Sequence, residues 1–211
     1  YLVLKLLKAP VWEDGQAKRR ERGVPQGSIL SPLASNVFLH YVLDVWFSWL
    51  NEKEYGGRAR MVRYADDGVF VFPTLEEAER FRRQLTERTA AFGLSLHEDK
   101  TRVLPAGKAE AELQASRGKR IPGFTFLGFL HVWGISTNRT TGVRFWRVKR
   151  RTCPKRFRKK LAEMRDYIRR HRHEPGLVEH LKQVAVGYLH YFAINDNQRR
   201  VQQFLRQLHR M

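Results

Sequence analysis

Two short β-prone runs, residues 61–64 and 69–72, flank Ala65-Asp66-Asp67-Gly68, and this pattern constrains the fold more than any other. Asp-Gly between such runs predicts an antiparallel hairpin with two adjacent carboxylates at its tip. Helical patterns lie on both sides. Residues 31–50 are apolar-rich and open on Ser31-Pro32, a capping residue and a first-turn proline, which predicts a largely buried helix. From about 74 to 91, Thr74 can cap and Glu77 holds the capping-box position, while Ala78, Phe81, Leu85 and Phe92 share one face. Residues 94–96, 101–104, 124–127, 129–133 and 143–148 read as further short strands. Beyond Pro154 the apolar period becomes helical: Phe157, Leu161, Met164 and Ile168, then Leu181, Val184, Ala185, Tyr188 and Phe192, then Val201, Phe204, Leu205 and Leu208. The expected fold class is α+β over 1–148, with 105–123 as an irregular Pro/Gly-rich insertion, followed by a basic three-helix unit over 149–211.

Charge divides along the same line. Residues 1–105 hold 16 Lys and Arg against 14 Asp and Glu, whereas 106–211 hold 24 against 7, so nearly all of the net +19 sits in the second half. Such a concentration suits a phosphate backbone better than mere solubility. The candidate backbone contacts are Lys149, Arg150, Arg151, Lys155, Arg156, Arg158, Lys159 and Lys160. A single cysteine, Cys153, excludes an internal disulfide framework and a Cys-rich zinc module, and fits a cytoplasmic setting. No apolar run is long enough to span a bilayer and no signal-peptide pattern is present, so no membrane partner is expected.

Adjacent carboxylates repel unless a cation neutralises them, and Mg²⁺ does so through one or two carboxylates, water and substrate phosphates. Two such ions would activate a hydroxyl and stabilise a leaving pyrophosphate. A bare Asp-Asp-Gly also suits an ordinary turn. Tyr64, Ala65 and the apolar flanks make the pattern around Asp66 and Asp67 more restrictive. Upstream, Gly23-Val24-Pro25-Gln26-Gly27-Ser28-Ile29-Leu30-Ser31-Pro32 forms a stiff loop entering a helix, with Gly27 open to close approach and Gln26 offering both donor and acceptor.

Together these residues resemble the reverse transcriptases, and in particular the group II intron-encoded branch. Tyr64-Ala65-Asp66-Asp67 resembles that family's YxDD box, and Gly23 to Pro32 its P-Q-G box. Residues 94–101, with Lys100, are similar to the following block; Phe126-Leu127-Gly128-Phe129 resembles the primer-grip turn. Gly187-Tyr188-Leu189-His190-Tyr191-Phe192 resembles the maturase thumb signature, with Tyr188 where Trp is usual. The resemblance implies a palm with an antiparallel sheet and packed helices, a helical thumb or maturase-specific domain, and RNA-directed DNA synthesis with Mg²⁺, or Mn²⁺ in its place. Asp66 and Asp67 would be the metal ligands. Pro25, Gln26, Gly27, Tyr64, Ala65 and Lys100 would line the nucleotide and template site. RNA template, DNA or RNA primer, dNTPs and structured intron RNA are the implied partners, in a bacterial cytoplasm or ribonucleoprotein.

The family also has fingers and a further metal-binding Asp upstream of the P-Q-G box, and only 22 residues precede Gly23. Asp14 and Asp44 are misplaced for that role. The fingers and first carboxylate are therefore expected to be missing from this chain, with an upstream polypeptide or a degenerate remnant as the alternatives, and residues 1–211 alone are expected not to polymerise. The competing expectation is a non-catalytic RNA-binding or splicing-assistance protein that keeps the basic helices. His171, His173 and His180 lack zinc spacing and read as surface residues. Tyr188 and Tyr191 read as helical core.

Overall fold

The computed structural model describes residues 5, 8, 10–13, 15–18 and 30–211. Among these the chain divides into two compact units, 1–103 and 104–211. The first opens with a short antiparallel ribbon, β1 (Val11–Glu13) and β2 (Gln16–Lys18).

A helical stretch follows, because Pro32 pre-sets its first turn and nothing breaks it before Gly56: α1 (Ser31–Leu39), a π-helical turn (His40–Val45) and α2 (Trp46–Tyr55). It ends where Gly56 turns left-handed at φ 56°. Its apolar residues ring the helix, so one inward face cannot cover them. Within 31–50 only Val42, Phe47 and Leu50 are buried, while Leu33, Val37, Phe38, Tyr41, Val45 and Trp49 are exposed. The expectation of a largely buried helix is corrected to that extent.

β3 (Arg60–Tyr64) and β4 (Asp67–Val71) form an antiparallel hairpin in which Met61 faces Phe70, Arg63 faces Gly68 and Tyr64 faces Asp67. This register sends Met61 and Phe70 into the core and turns Val62, Tyr64 and Val71 outward. Then comes α3 (Leu75–Ala91), capped as expected by Thr74, whose Oγ accepts the Glu77 amide at 3.2 Å. The Glu77 carboxylate, though, binds Arg58 at 2.7 Å. The core is aromatic, with Phe81 at its centre: its ring lies 4.7 Å from Phe70, 4.9 Å from Phe72 and 5.5 Å from Phe47. Residues 94–96 and 101–104 form no strand, and Lys100 lies exposed in a turn, its amide donating to the His97 carbonyl.

In the second unit the segment read as irregular contains α4 (Lys108–Ser116), which buries Ala111. Glycines at 107 and 118, both at positive φ, bound it, and that punctuation made it read as a loop. β5 (Phe124–Phe126), β6 (Phe129–Thr137) and β7 (Arg144–Thr152) form a three-stranded antiparallel sheet. The change to helix falls between Thr152 and Pro154, inside this unit: α5 (Pro154–His171), α6 (Leu177–Phe192), a 3₁₀ turn (Asn195–Asn197) and α7 (Gln198–His209). The helices pack around Phe157, Leu161, Tyr188, Val201 and Phe204, with Tyr188 stacked on Phe204 at 3.8 Å.

Strands and helices are joined here by a polar knot. Buried Asn197 accepts the Thr152 amide at 2.8 Å and donates to the Thr152 hydroxyl and the Phe192 carbonyl. Beside it, Arg147 on β7 makes a two-pronged ion pair with Asp196. Burial pushes the Asp196 carboxyl up, but the hydrogen bonds and charge of Arg147, with the Arg150 amide and the Lys149 charge, together outweigh it and leave the group below the usual carboxylate range. No helix among the described residues is long and apolar enough to cross a membrane.

Candidate functional site

The β3–β4 loop is two residues long and consists of Ala65 and Asp66, with Tyr64 and Asp67 paired across its base. The sequence placed the turn at Asp-Gly. Instead Asp67 and Gly68 are the first residues of β4, and Gly68 has no positive φ. Its missing side chain serves packing, since a Cβ there would lie 2.9 Å from the Phe70 ring. The unusual backbone falls on Ala65, at φ 52°. Asp66 sits at the tip, while Asp67 projects from the outward face together with exposed Tyr64.

No described residue forms an ion pair or hydrogen bond with the carboxylate of Asp66 or Asp67. Two adjacent solvent-facing carboxylates fit a hard divalent ion, which would take the rest of its shell from water and phosphates. Among the described residues no third His, Cys, Asp or Glu joins them. Pro25, Gln26 and Gly27 lie outside the described residues.

Behind the loop is a network that sequence reading missed. Arg63 points inward from β3 and grips Asp44 with both prongs, Nε to Oδ1 at 2.6 Å and Nη2 to Oδ2 at 2.5 Å. Its Nη1 donates to the Ala65 carbonyl at 2.8 Å and to the Asn36 side chain at 3.1 Å. Asp44 belongs to the π-helical turn and Asn36 to α1. The hydrogen bonds from Arg63 hold the Asp44 carboxyl below the usual carboxylate range, and His40 lies 3.4 Å from the same group. Asp44 is thus committed to Arg63.

The turn expected to act as a primer grip lies in the second unit. Phe126 pairs with Phe129 across the loop residues Leu127 and Gly128, at φ 47° and 79°. The Leu127 carbonyl accepts the Tyr191 hydroxyl at 2.8 Å, and the Tyr191 ring stacks on Phe129 at 5.6 Å. The Gly128 carbonyl accepts the Cys153 amide at 2.9 Å. Tyr188 is core as expected, but Tyr191 is half exposed and serves as a latch on this turn. The Phe126–Phe129 motif and the 187–192 motif therefore meet in space. At the opposite ends of α5 and α6, His171 and His180 stack on the Tyr167 ring at 4.1 and 4.2 Å.

Of the eight basic candidates, Lys149, Arg150 and Arg151 lie on β7 and the other five on α5. Lys149 donates to the Ile135 carbonyl at 2.5 Å, and Lys159 and Lys160 approach Glu163 at 4.0 and 3.8 Å. No described carboxylate pairs with Arg150, Arg151, Lys155, Arg156 or Arg158. Arg158 and Arg165 also line a cleft of about 510 Å³ with Arg200, Gln203 and Gln207. These cations are available to a polyanion.

Comparison with known proteins agrees with the geometry of the first unit. No curated relative matches the chain. The family model described as reverse transcriptase (RNA-dependent DNA polymerase) matches residues 2–131, more than half of the length, and takes in both hairpin loops. Its antiparallel hairpin between packed helices is a palm-type fold, and the chain belongs to the reverse transcriptase family.

Proposed function

We propose that the chain is the palm, from the P-Q-G box onward, and the maturase-type thumb of a group II intron reverse transcriptase. Reverse transcriptases are RNA-directed DNA polymerases that bind template and primer and use divalent cations. The observation that carries the reading is the pair Asp66 and Asp67, solvent-facing at the tip of the β3–β4 hairpin and on the adjoining first residue of β4, with no described partner, within the stretch matched by the family. In this reading the carboxylates hold Mg²⁺ for nucleotidyl transfer. Pro25, Gln26, Gly27, Tyr64, Ala65 and Lys100 line the nucleotide and template path. The 126–129 turn meets the primer, and the basic residues of β7 and α5 hold template–primer and intron RNA in the cytoplasm.

With two carboxylates at this loop and no third joining them among the described residues, residues 1–211 alone are proposed not to extend a primer. Primer extension on an RNA template tests both parts. The isolated chain stays silent, whereas the chain joined to a reverse transcriptase segment that supplies a third carboxylate extends with Mg²⁺ and loses extension on Asp66→Ala while keeping most RNA binding. Extension by 1–211 alone would refute the proposed need for a third carboxylate from another segment. Equal loss of extension and RNA binding would make the aspartates structural. If Arg150, Arg151, Lys155, Arg156 and Arg158 each meet a phosphate, the logarithm of RNA affinity falls against the logarithm of salt with a slope of about −4 to −5. The +17 of residues 106–211 also favours a second reading, a non-catalytic RNA-binding protein, which predicts the same salt slope and no extension by the joined protein.

A further inference from the structure

The carboxylate loop has an awkward backbone. Ala65 occupies the left-handed region, at φ 52°, without the freedom of glycine, and such a conformation persists only where its surroundings over-determine it. Here they do so through one side chain. The Arg63 guanidinium reaches the Ala65 carbonyl, the Asn36 amide oxygen and both oxygens of Asp44, so that a planar fork spans β3, the loop, α1 and the π-helical turn. Its side chain is only 12% exposed and that of Asp44 23%. Arg63 does not reach outward to a substrate. It lies on the inner face opposite Gly68, while Asp67 projects from the outer face. Gly68 leaves that inner face without a side chain opposite Arg63.

We propose that Arg63, braced by Asp44, is a positioning residue: by holding the Ala65 carbonyl it sets the aim of Asp66 and Asp67 toward a shared divalent cation. The inference rests on the reading of that pair as a metal site. Lysine cannot replace the fork, because one ammonium cannot pair in two-pronged fashion with Asp44 and also reach the Ala65 carbonyl. The alternative is a purely electrostatic role, and its sign is opposite. A cation near two carboxylates disfavours a second cation, so removing it would tighten metal binding.

The test uses the full 1–211 chain, ¹⁵N-labelled, with Mn²⁺ alone as the probe and line broadening of the amides at 64–68 as the readout. Circular dichroism defines a temperature at which every variant is folded. Asp66→Asn with Asp67→Asn should abolish local broadening. Arg63→Gln should weaken Mn²⁺ binding by about tenfold, in the range typical of lost outer-shell support. Arg63→Lys, which keeps the charge and guards against a Gln variant that fails to fold, should weaken it by about threefold. Tighter or unchanged binding in a folded Arg63→Gln, or wild-type binding in Arg63→Lys, overturns the positioning role while leaving the metal site standing. Broadening that survives the double Asp substitution overturns the metal site and the inference with it.

Discussion

The loops at 65–66 and 127–128 share a form and differ in support. Each joins two antiparallel strands through two residues, the first being a non-glycine residue at positive φ, Ala65 or Leu127, whose carbonyl accepts a hydrogen bond of 2.8 Å. In the first loop the donor is a charged Arg two residues away, anchored to a carboxylate 19 positions upstream. In the second the donor is a neutral Tyr 64 positions downstream, and Gly128 shares the strain. The difference follows the composition of the two units. In the near-neutral first unit an inward Arg can be matched by an Asp. The second holds seven acids against 24 bases; its two-pronged pair, Arg147 with Asp196, joins strand to helices, and at the turn a phenol is the latch, which leaves surrounding cations available.

The largest test breaks the charged support. Arg63→Gln leaves Asp44 largely enclosed without its partner and should cost about 2 kcal/mol in urea unfolding, less than a fully buried pair because both groups retain some solvent. The pH dependence sharpens the assignment. The folded Asp44 carboxyl titrates below its ordinary 3.8, so its contribution is fully present above 3.8 and is lost as pH falls through the depressed value. The wild type should lose stability more steeply below about pH 4 than Arg63→Gln does. Parallel acid profiles would contradict the pairing.

Next comes the second loop. Gly128→Ala forces a Cβ into the left-handed region and to 3.1 Å from the Arg156 guanidinium, which should cost about 1–2 kcal/mol and lower the melting temperature. Tyr191→Phe removes one partly exposed hydrogen bond and should cost about 0.5–1 kcal/mol, with the Phe129 stack retained. A loss as large as that of Arg63→Gln would erase the distinction between the loops. The smallest effect has the opposite sign. Ala65→Gly relieves an exposed positive-φ residue and should stabilise by about 0.5 kcal/mol, whereas Leu127→Gly also forfeits half-buried side-chain area and should not.

What could be read from the sequence was local. The hairpin runs, the Thr74 cap and the three terminal helices depend on neighbours within a few positions, and each forms. Turn register was misjudged because Asp-Gly carries a local signal, whereas packing of Met61 and Phe70 against Phe81 and Phe47 chooses which residues pair. The 94–96 and 101–104 runs have strand composition but no ladder to join. At the site, the identity of the carboxylates was legible and their supports were not. Arg63 with Asp44, and Tyr191 with Leu127, are pairs made by folding, and nothing in either segment marks its partner.

The π-helical turn at 40–45 carries a further consequence for how the chain can vary. Such a turn holds one residue more than α-helical geometry would place there, and the extra residue rotates everything beyond it by about 100°. Asn36 lies before it and Asp44 within it, yet both reach the same guanidinium. Deleting a single residue between them would leave an ordinary helix with the two seven apart and still on one face, whereas winding the present eight-residue spacing into an unbroken α-helix would set them about 80° apart. The π-helical turn therefore lets this stretch carry an extra residue while Asn36 and Asp44 keep facing the same guanidinium.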